Sequence, residues 1–374
     1  MDDYSDTYLS WFILREIPGL TNRIIKQLIS QFNTPEAILE APANELAQVQ
    51  GIGPKTIKAI KSYDQHTGTA LATLEQIRKQ NFGISVLTGS DYPPFLREIP
   101  DPPPVLVYDG KLEPEKPCIS IVGSRSATRY GLDTARHLAA RLADRGFSIV
   151  SGMALGIDTA AHDGALASAT GNTVAVLGSG LGHIYPRQNK SLYRQIKDRG
   201  AVITEFNPDT PPLPAHFPQR NRIIAGISTG TIVVEAAQKS GSLITARLAG
   251  EYNREVFAVP GSIRSSKSRG THALIKQGAR LVENEMDIID ELLQFVHSQN
   301  LFEPKKQTKL KNTDGMDKTQ AMVYKHLDPY PKHIDIITAL SGLTSAQVSA
   351  ILLDMELSGL IVRHPGNNYS TSEE

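Results

Sequence analysis

Seven short runs of apolar and β-branched residues recur between residues 118 and 282, each separated from the next by a stretch of helical pattern. They are 118–122, 147–151, 173–177, 201–205, 230–234, 255–259 and 280–282. Runs of this kind, apolar nearly throughout, fit strands buried on both faces. The segments between them, such as 134–145 and 158–168, read as helices. The alternation predicts an α/β fold with a doubly wound, mostly parallel sheet. Ligands bind such a sheet outside the carboxyl ends of its strands. The loops that follow the strands are therefore where function is to be sought.

The first of these strands runs straight into Gly123-Ser124-Arg125. A dinucleotide site places a glycine-rich turn at this junction so that helix-terminal N–H groups face a pyrophosphate. Here the glycine pattern is absent and an arginine occupies the turn. A guanidinium adds a permanent charge and a donor fork matched to phosphate oxygens. Other strand-end loops carry Gly152-Met153-Ala154 with Gly156-Ile157-Asp158, Gly178-Ser179-Gly180, Tyr185-Pro186-Arg187-Gln188-Asn189-Lys190, and Ser240-Gly241-Ser242. Asp158 is placed to cap the helix after it, and Ser242 can do the same. Phe217-Pro218-Gln219-Arg220-Asn221-Arg222 is the most pointed segment. Arg220 and Arg222 are two apart, so both reach one ligand only if they sit at a loop–helix junction. Asn221 can face a base edge, and Phe217 can offer a stacking surface.

Charge is unevenly spread. Residues 119–282 hold 20 Lys+Arg against 10 Asp+Glu, while the flanks are acidic: 11 against 15 in 1–118, and 8 against 14 in 283–374. No acid lies between Asp209 and Glu235, and none between 256 and 282, where Lys276 is one of five basic residues. A basic region confined to one part of a neutral chain is the footprint of a polyanion site.

Several chemistries lack their motif. There is no Gly-x-x-x-x-Gly-Lys-Ser/Thr loop, no Gly-x-Ser-x-Gly elbow and no metal-ligand spacing. No catalytic residue, metal or cofactor is expected. The single cysteine, Cys118, fits a reducing compartment. The acidic start of the chain and the lack of an apolar run of about 18 residues predict neither a secretory signal nor a membrane span. The expected location is the cytoplasm.

Four regions are predicted. Residues 1–75 are helical, with two hairpin signals, Ile17-Pro18-Gly19-Leu20 and Val49-Gln50-Gly51-Ile52-Gly53-Pro54-Lys55. The second resembles a helix-hairpin-helix, and Lys55, Lys58 and Lys61 line one face of the helix after it. Residues 76–296 hold the sheet, entered through an extended connector containing Asp101-Pro102-Pro103-Pro104. A polar linker spans 297–316. In 317–374 come helices at 318–327, 333–340 and 345–357, a strand at 360–364 and the turn Pro365-Gly366-Asn367-Asn368, the order of a winged helix. Its recognition helix, 345–357, has no Lys or Arg and carries Asp354 and Glu356. Phosphate contacts dominate non-specific DNA affinity, so this domain is expected to meet protein or regulate dimers.

Taken together, the motifs resemble the DprA/Smf family, the DNA-processing proteins of natural transformation. The likeness rests on Gly123-Ser124-Arg125, Gly152-Met153-Ala154 with Gly156-Ile157-Asp158, and Tyr185-Pro186 with Asn189. It continues through Phe217-Pro218 with Arg220-Asn221-Arg222-Ile223-Ile224-Ala225-Gly226, Glu235-Ala236, Ser240-Gly241-Ser242-Leu243-Ile244-Thr245-Ala246 and Val259-Pro260-Gly261. The resemblance implies an extended Rossmann-like domain between a small helical helix-hairpin-helix/SAM-like domain and a C-terminal winged helix. It implies a single-stranded DNA-binding protein rather than an enzyme, a homodimer joined through the Rossmann-like domain. Such a protein protects incoming strands and helps load RecA. The DNA-binding residues expected are Gly123, Ser124, Arg125, Arg187, Lys190, Phe217, Arg220, Asn221, Arg222, Gly241, Ser242 and Lys276. Two positions depart from the pattern: the loop before Phe217 reads Leu213-Pro214-Ala215-His216, without Lys or Arg, and His272 stands where asparagine is usual.

Two other readings compete. Gly230-Thr231 followed by Glu235 faintly resembles the loop of phosphoribohydrolases of the lysine-decarboxylase-like group, so a nucleotide-processing enzyme using Glu235 is the alternative. An interaction hub with an incidental basic surface is the third.

Overall fold

A computed structural model describes residues 3–299, 317–327, 332–364 and 366–371. The chain divides into two compact units, residues 1–301 and 302–374.

The first unit is built on a nine-stranded sheet. Its strands are β1 (Gly83–Val86), β2 (Val105–Gly110), β3 (Cys118–Val122), β4 (Ser148–Ser151), β5 (Asn172–Val176), β6 (Ala201–Thr204), β7 (Gly230–Val233), β8 (Glu255–Ala258) and β9 (Arg280–Leu281). Their order across the sheet is β1-β2-β6-β5-β4-β3-β7-β8-β9. Strands β3 to β9 are mutually parallel, and β1 and β2 add an antiparallel edge beyond β6. The parallel part starts at β3, moves one way through β4, β5 and β6, and returns to lay β7 on the other side of β3. Side chains alternate accordingly. Ile119 and Ile121 join a core with the helices Arg129–Asp144, Ile157–Ala167 and Glu285–Gln299. Cys118 and Val122 join the opposite core, with the helices His216–Ile227 and Ser242–Glu251. Burial pushes the Cys118 thiol up to about 12, so it stays protonated.

Several elements differ from the sequence expectation. β1 falls within the stretch read as a helix and connector. It carries too short an apolar run to show alternation, and it is defined by pairing with β2. The helix Asp64–Lys79 crosses the expected boundary at 75/76. The helix expected from 134 starts at Arg129, because Thr128 caps it: its Oγ1 accepts from the Gly131 N–H at 3.2 Å. Asp158 does not cap. Gly156, at φ 85°, takes that position, and the Asp158 carboxylate accepts the N–H groups of Gly152 (3.1 Å) and Ala154 (3.4 Å), bracing the loop after β4.

The N-terminal helices share a core with the sheet, through residues such as Trp11, Phe12, Leu14, Leu74 and Ile77. A polar lock reinforces the junction. Arg15 donates to the Glu205 carbonyl at 2.6 Å, Asn22 to the Glu205 carboxylate at 3.3 Å, and Lys26 to the Ile99 carbonyl at 2.8 Å. In the second hairpin Lys61 is taken up in structure, donating to the carbonyls of Leu39, Glu40 and Ala41.

The second unit has helices Lys318–Tyr324, Ile334–Ser341 and Ser345–Leu357, with strands β10 (Lys332–His333), β11 (Ile361–His364) and β12 (Asn368–Thr371) in the order β10-β12-β11. Capping boxes at Asp317/Gln320 and Thr344/Gln347 start two of the helices. Gly366 and Asn367, both at positive φ, turn the wing between β11 and β12. Of the expected linker, 297–299 continue the preceding helix, and 300–316 lie outside the described residues, as does Pro365. No single helix among the described residues is long and apolar enough to cross a membrane.

Candidate nucleic-acid interface

A cavity of about 680 Å³ opens at the carboxyl ends of β3 and β7, where the chain reverses direction across the sheet. Eight of the expected residues line it: Gly123, Ser124, Arg125, Phe217, Arg220, Asn221, Gly241 and Ser242. Ala154, Asp158, Tyr185, Pro212, Pro214, Lys239 and Thr245 complete much of the wall.

The Gly123-Ser124-Arg125 turn is held from three sides. A Cβ on Gly123 would lie 2.7 Å from Ile157 and 3.0 Å from the Glu235 carbonyl, so the turn can sit this low only with glycine there. The Ser124 carbonyl accepts from the Ile157 N–H at 3.2 Å. Lys267 donates to Ser126, reaching its Oγ at 2.7 Å. The Arg125 side chain is left exposed above the turn, over the Phe217 ring at 5.3 Å from its centre. Tyr185 stands 5.6 Å from Phe217, tilted by 46°. A cation and two aromatic faces therefore share one rim.

Arg220 forms the floor. It is 4% exposed, and its Nη1 donates to the carbonyls of Gly152 (2.8 Å) and Val176, tying together the ends of β4 and β5. A Cβ on Gly152 would lie 2.5 Å from this guanidinium. Burial lowers the Arg220 pKa to about 10, with Asp158 opposing and Arg125 adding to the shift, so the charge persists at neutral pH. The same burial raises Asp158 and drives His162 down to about 3, keeping that imidazole neutral. His162 Nδ1 pairs with Thr173 Oγ1 at 2.7 Å.

Arg222 does not reach the cavity. The helix begins at His216, before both arginines, so Arg220 and Arg222 stand about 200° apart around it. Arg222 is 6% exposed and paired with Glu205, and it donates to the Asp101 carbonyl at 2.7 Å. It works in the lock between the N-terminal helices and the sheet.

The other expected cations lie off the cavity lining. Arg187 and Lys190 are exposed on the turn and helix that follow Tyr185, and Lys276 is exposed in the last turn of the helix Arg269–Lys276. Lys239 and Tyr185 line the cavity and are not among the residues expected from sequence. Tyr185 belongs to a Tyr-Pro motif of the family resemblance, and nothing local marks Lys239. Glu235 does not line the cavity. Its two carboxylate oxygens accept the Thr128 N–H at 2.9 Å and the Thr128 hydroxyl at 2.5 Å, and Gly131 packs against it. His216 stacks on Phe206 at 4.3 Å, and His272 Nε2 lies 3.0 Å from the Gly261 carbonyl. Among the described residues no group of three or more His, Cys, Asp or Glu could hold a metal.

Residues 84–293 match the family model for DNA recombination-mediator protein A. Residues 306–367 match the DprA winged helix domain, and 13–62 a SAM-like helix-hairpin-helix tandem. The chain is 33% identical to Protein Smf of Synechocystis sp. over 96% of this chain and 97% of that one. It is 46% identical to the DNA processing protein DprA of Streptococcus pneumoniae over 57% of this chain and 75% of that one. The solved S. pneumoniae DprA structure aligns with a TM-score of 0.66 at 37% identity, covering 78% of this chain and 98% of that one. A Helicobacter pylori DNA processing protein A, whose structure describes a single-stranded DNA binding mode, aligns with a TM-score of 0.52 at 30% identity over 57% of this chain and 96% of that one. By its sheet, its flanking helical and winged-helix domains and these matches, the chain belongs to the DprA/Smf family of DNA-processing proteins.

Proposed function

We propose that this protein binds single-stranded DNA in the cavity at the ends of β3 and β7. The observation that carries the reading is the rim of Arg125, Phe217 and Tyr185 above the buried charge of Arg220. Cations track a phosphate backbone and aromatic faces stack unpaired bases, which together favour single strands over duplex. Gly123, Ser124, Asn221, Gly241 and Ser242 supply polar and backbone groups around the same space. Arg187 and Lys190, exposed at the start of the helix after Tyr185, are where a longer strand can meet further charge, whereas Lys276 ends a helix that runs away from the carboxyl ends of the strands.

Family membership supports the wider role: a cytoplasmic homodimer, joined through the Rossmann-like domain, that protects incoming strands and loads RecA in transformation and recombination. No catalytic step is assigned. A phosphoribohydrolase reading would need Glu235 free to act, and its oxygens are bound to Thr128. The test is a titration of full-length protein with labelled oligo-dT and a matched duplex at about 0.15 M salt, wild type against Arg125→Ala. Preference for the single strand, lost in the variant, is expected. Equal binding by both proteins sinks the site. Release of free base from a panel of nucleoside monophosphates would favour the enzyme instead.

A further inference from the structure

The helix Ser345–Leu357 is apolar on two opposite faces. Val348, Leu352 and Met355 are buried in the core of the second unit. The opposite face carries Ala346, Ala350, Leu353 and Leu357, all exposed, the two leucines by 54% and 80%. Their spacing of four, three and four residues is the a/d seam of a heptad repeat. A helix that is apolar all round is normally buried all round. Among the described residues nothing covers this second face.

The order of sizes along the seam says what fits it. Two alanines occupy its N-terminal half and two leucines its C-terminal half. A second copy laid antiparallel sets Leu357 against Ala346 and Leu353 against Ala350, and a two-fold axis repeats both pairs. Every layer then holds one large and one small side chain, so the helices keep one separation along their length. A parallel copy stacks leucine on leucine at one end and leaves a gap between alanines at the other. The flanking residues agree. In an antiparallel pair the e positions of the two helices meet, and so do the g positions. That brings Gln347 beside Asp354 on one flank and Ser349 beside Glu356 on the other. Gln347 Oε1 accepts the Thr344 N–H at 3.0 Å, which leaves its NH2 group to donate. Asp354 is exposed and already accepts from Gln320 at 2.5 Å. No acid meets an acid, and the acidic end of each helix lies along the start of the other, where the helix dipole favours negative charge.

We propose that the winged-helix units of two chains pair through this helix, antiparallel, about a two-fold axis between residues 351 and 352. Four seam residues per copy are far fewer than the roughly 20–30 a side of a stable complex. The pair is therefore weak, and it acts between chains that are already held close to one another. It is a contact separate from the cavity, and it does not depend on the DNA reading.

The test uses full-length protein in two forms, Ala350→Cys and Leu353→Cys, co-expressed with different tags and treated with a short bifunctional thiol reagent. The native Cys118 is buried and protonated, so it does not compete. Irreversible cross-linking captures a weak pair. Ala350→Cys chains are expected to join to Leu353→Cys chains, while Leu357→Cys chains do not join to one another, because those positions lie at opposite ends of the pair. Adding Leu357→Glu to both forms should abolish the product and leave the melting temperature unchanged, since Leu357 is exposed. Leu357→Cys chains that join to one another indicate a parallel pair and overturn the proposal. A 350–353 product that survives Leu357→Glu overturns it too. So does the absence of that product at high protein concentration, which is the result a face reserved for another protein gives.

Discussion

Arg125 holds its guanidinium 5.3 Å from the centre of the Phe217 ring, so the exposed cation of the cavity rim lies against its aromatic face. The ring offers its other face to whatever enters the cavity. Phe217→Ala should therefore weaken oligo-dT and oligo-dA alike, by about 1–3 kcal/mol, the range for losing one base–aromatic stack. Phe217→Trp should retain most of the affinity. Fluorescence anisotropy with the two oligonucleotides decides it, and an unchanged affinity in Phe217→Ala removes the ring from the site.

Arg222 belongs to stability. Its removal leaves Glu205 buried with one fewer cation, and breaking a buried pair in this way costs about 3–5 kcal/mol. Burial already raises the Glu205 pKa against the pull of Arg222 and Arg15. Arg222→Ala should lower the denaturant midpoint strongly, and adding Glu205→Gln should recover part of the loss. At temperatures where the variant is folded, its affinity for oligo-dT should match wild type. A selective loss of DNA affinity with unchanged stability would place Arg222 in the interface after all.

His162 makes folding sensitive to acid. Its folded pKa is lowered to about 3, against about 6.5 in the unfolded chain. Between these values the unfolded state binds a proton that the folded state does not. The stability gained from keeping the ring neutral is complete above about pH 6.5 and falls as pH drops toward 3, by roughly 1.4 kcal/mol per unit. From pH 7 to pH 5 this one group removes about 2 kcal/mol. His162→Gln should flatten that part of the pH profile of chemical denaturation. An identical profile in the variant would assign the acid sensitivity elsewhere.

Glu235 should behave as a brace for the Gly123-Ser124-Arg125 turn. Glu235→Ala leaves the Thr128 N–H and hydroxyl without their acceptors, a loss worth about 1–3 kcal/mol. Thermal or denaturant unfolding measures it. A fully stable variant would show that the Thr128 contacts matter little.

The winged-helix unit should not hold duplex DNA. Its helix Ser345–Leu357 has no Lys or Arg, and it leaves Leu353 and Leu357 exposed, the latter by 80%. A 317–374 fragment titrated with duplex at about 0.15 M salt is expected to give no binding. Duplex affinity that falls steeply with salt would reverse this.

Much of this was readable from the chain. The parallel strands announced themselves because burial on both faces demands unbroken apolar, β-branched runs. That Gly123, Ser124 and Arg125 line the cavity is legible because they follow a strand of such a sheet, where its ligand crevice opens. What escaped depended on where one helix starts. With its first turn at His216, Arg220 points inward and Arg222 points to the far side, and no property of the Arg-Asn-Arg triplet itself reveals that phase. Lys239 escaped because a lysine between glutamine and serine carries no local signal. Its place is set by the pairing of β7 with β3, a contact between segments over 100 residues apart. The N-terminal helices looked separable because their composition changes at the Pro-rich connector, whereas Arg15 and Asn22 reach across to Glu205.

Arg220 shows how a charge can act without being touched. Held by the carbonyls of Gly152 and Val176 and shielded from solvent, it is a fixed positive charge at the base of the groove, opposed in part by the Asp158 carboxylate beside it. Mobile ions cannot crowd around it as they do around a surface lysine. On the single-strand reading proposed above, a strand settling over it would feel its attraction without displacing an ion from it. Counting ions expelled on binding will therefore report fewer positive charges than the strand experiences, and part of its hold should outlast salt that strips the exposed contacts.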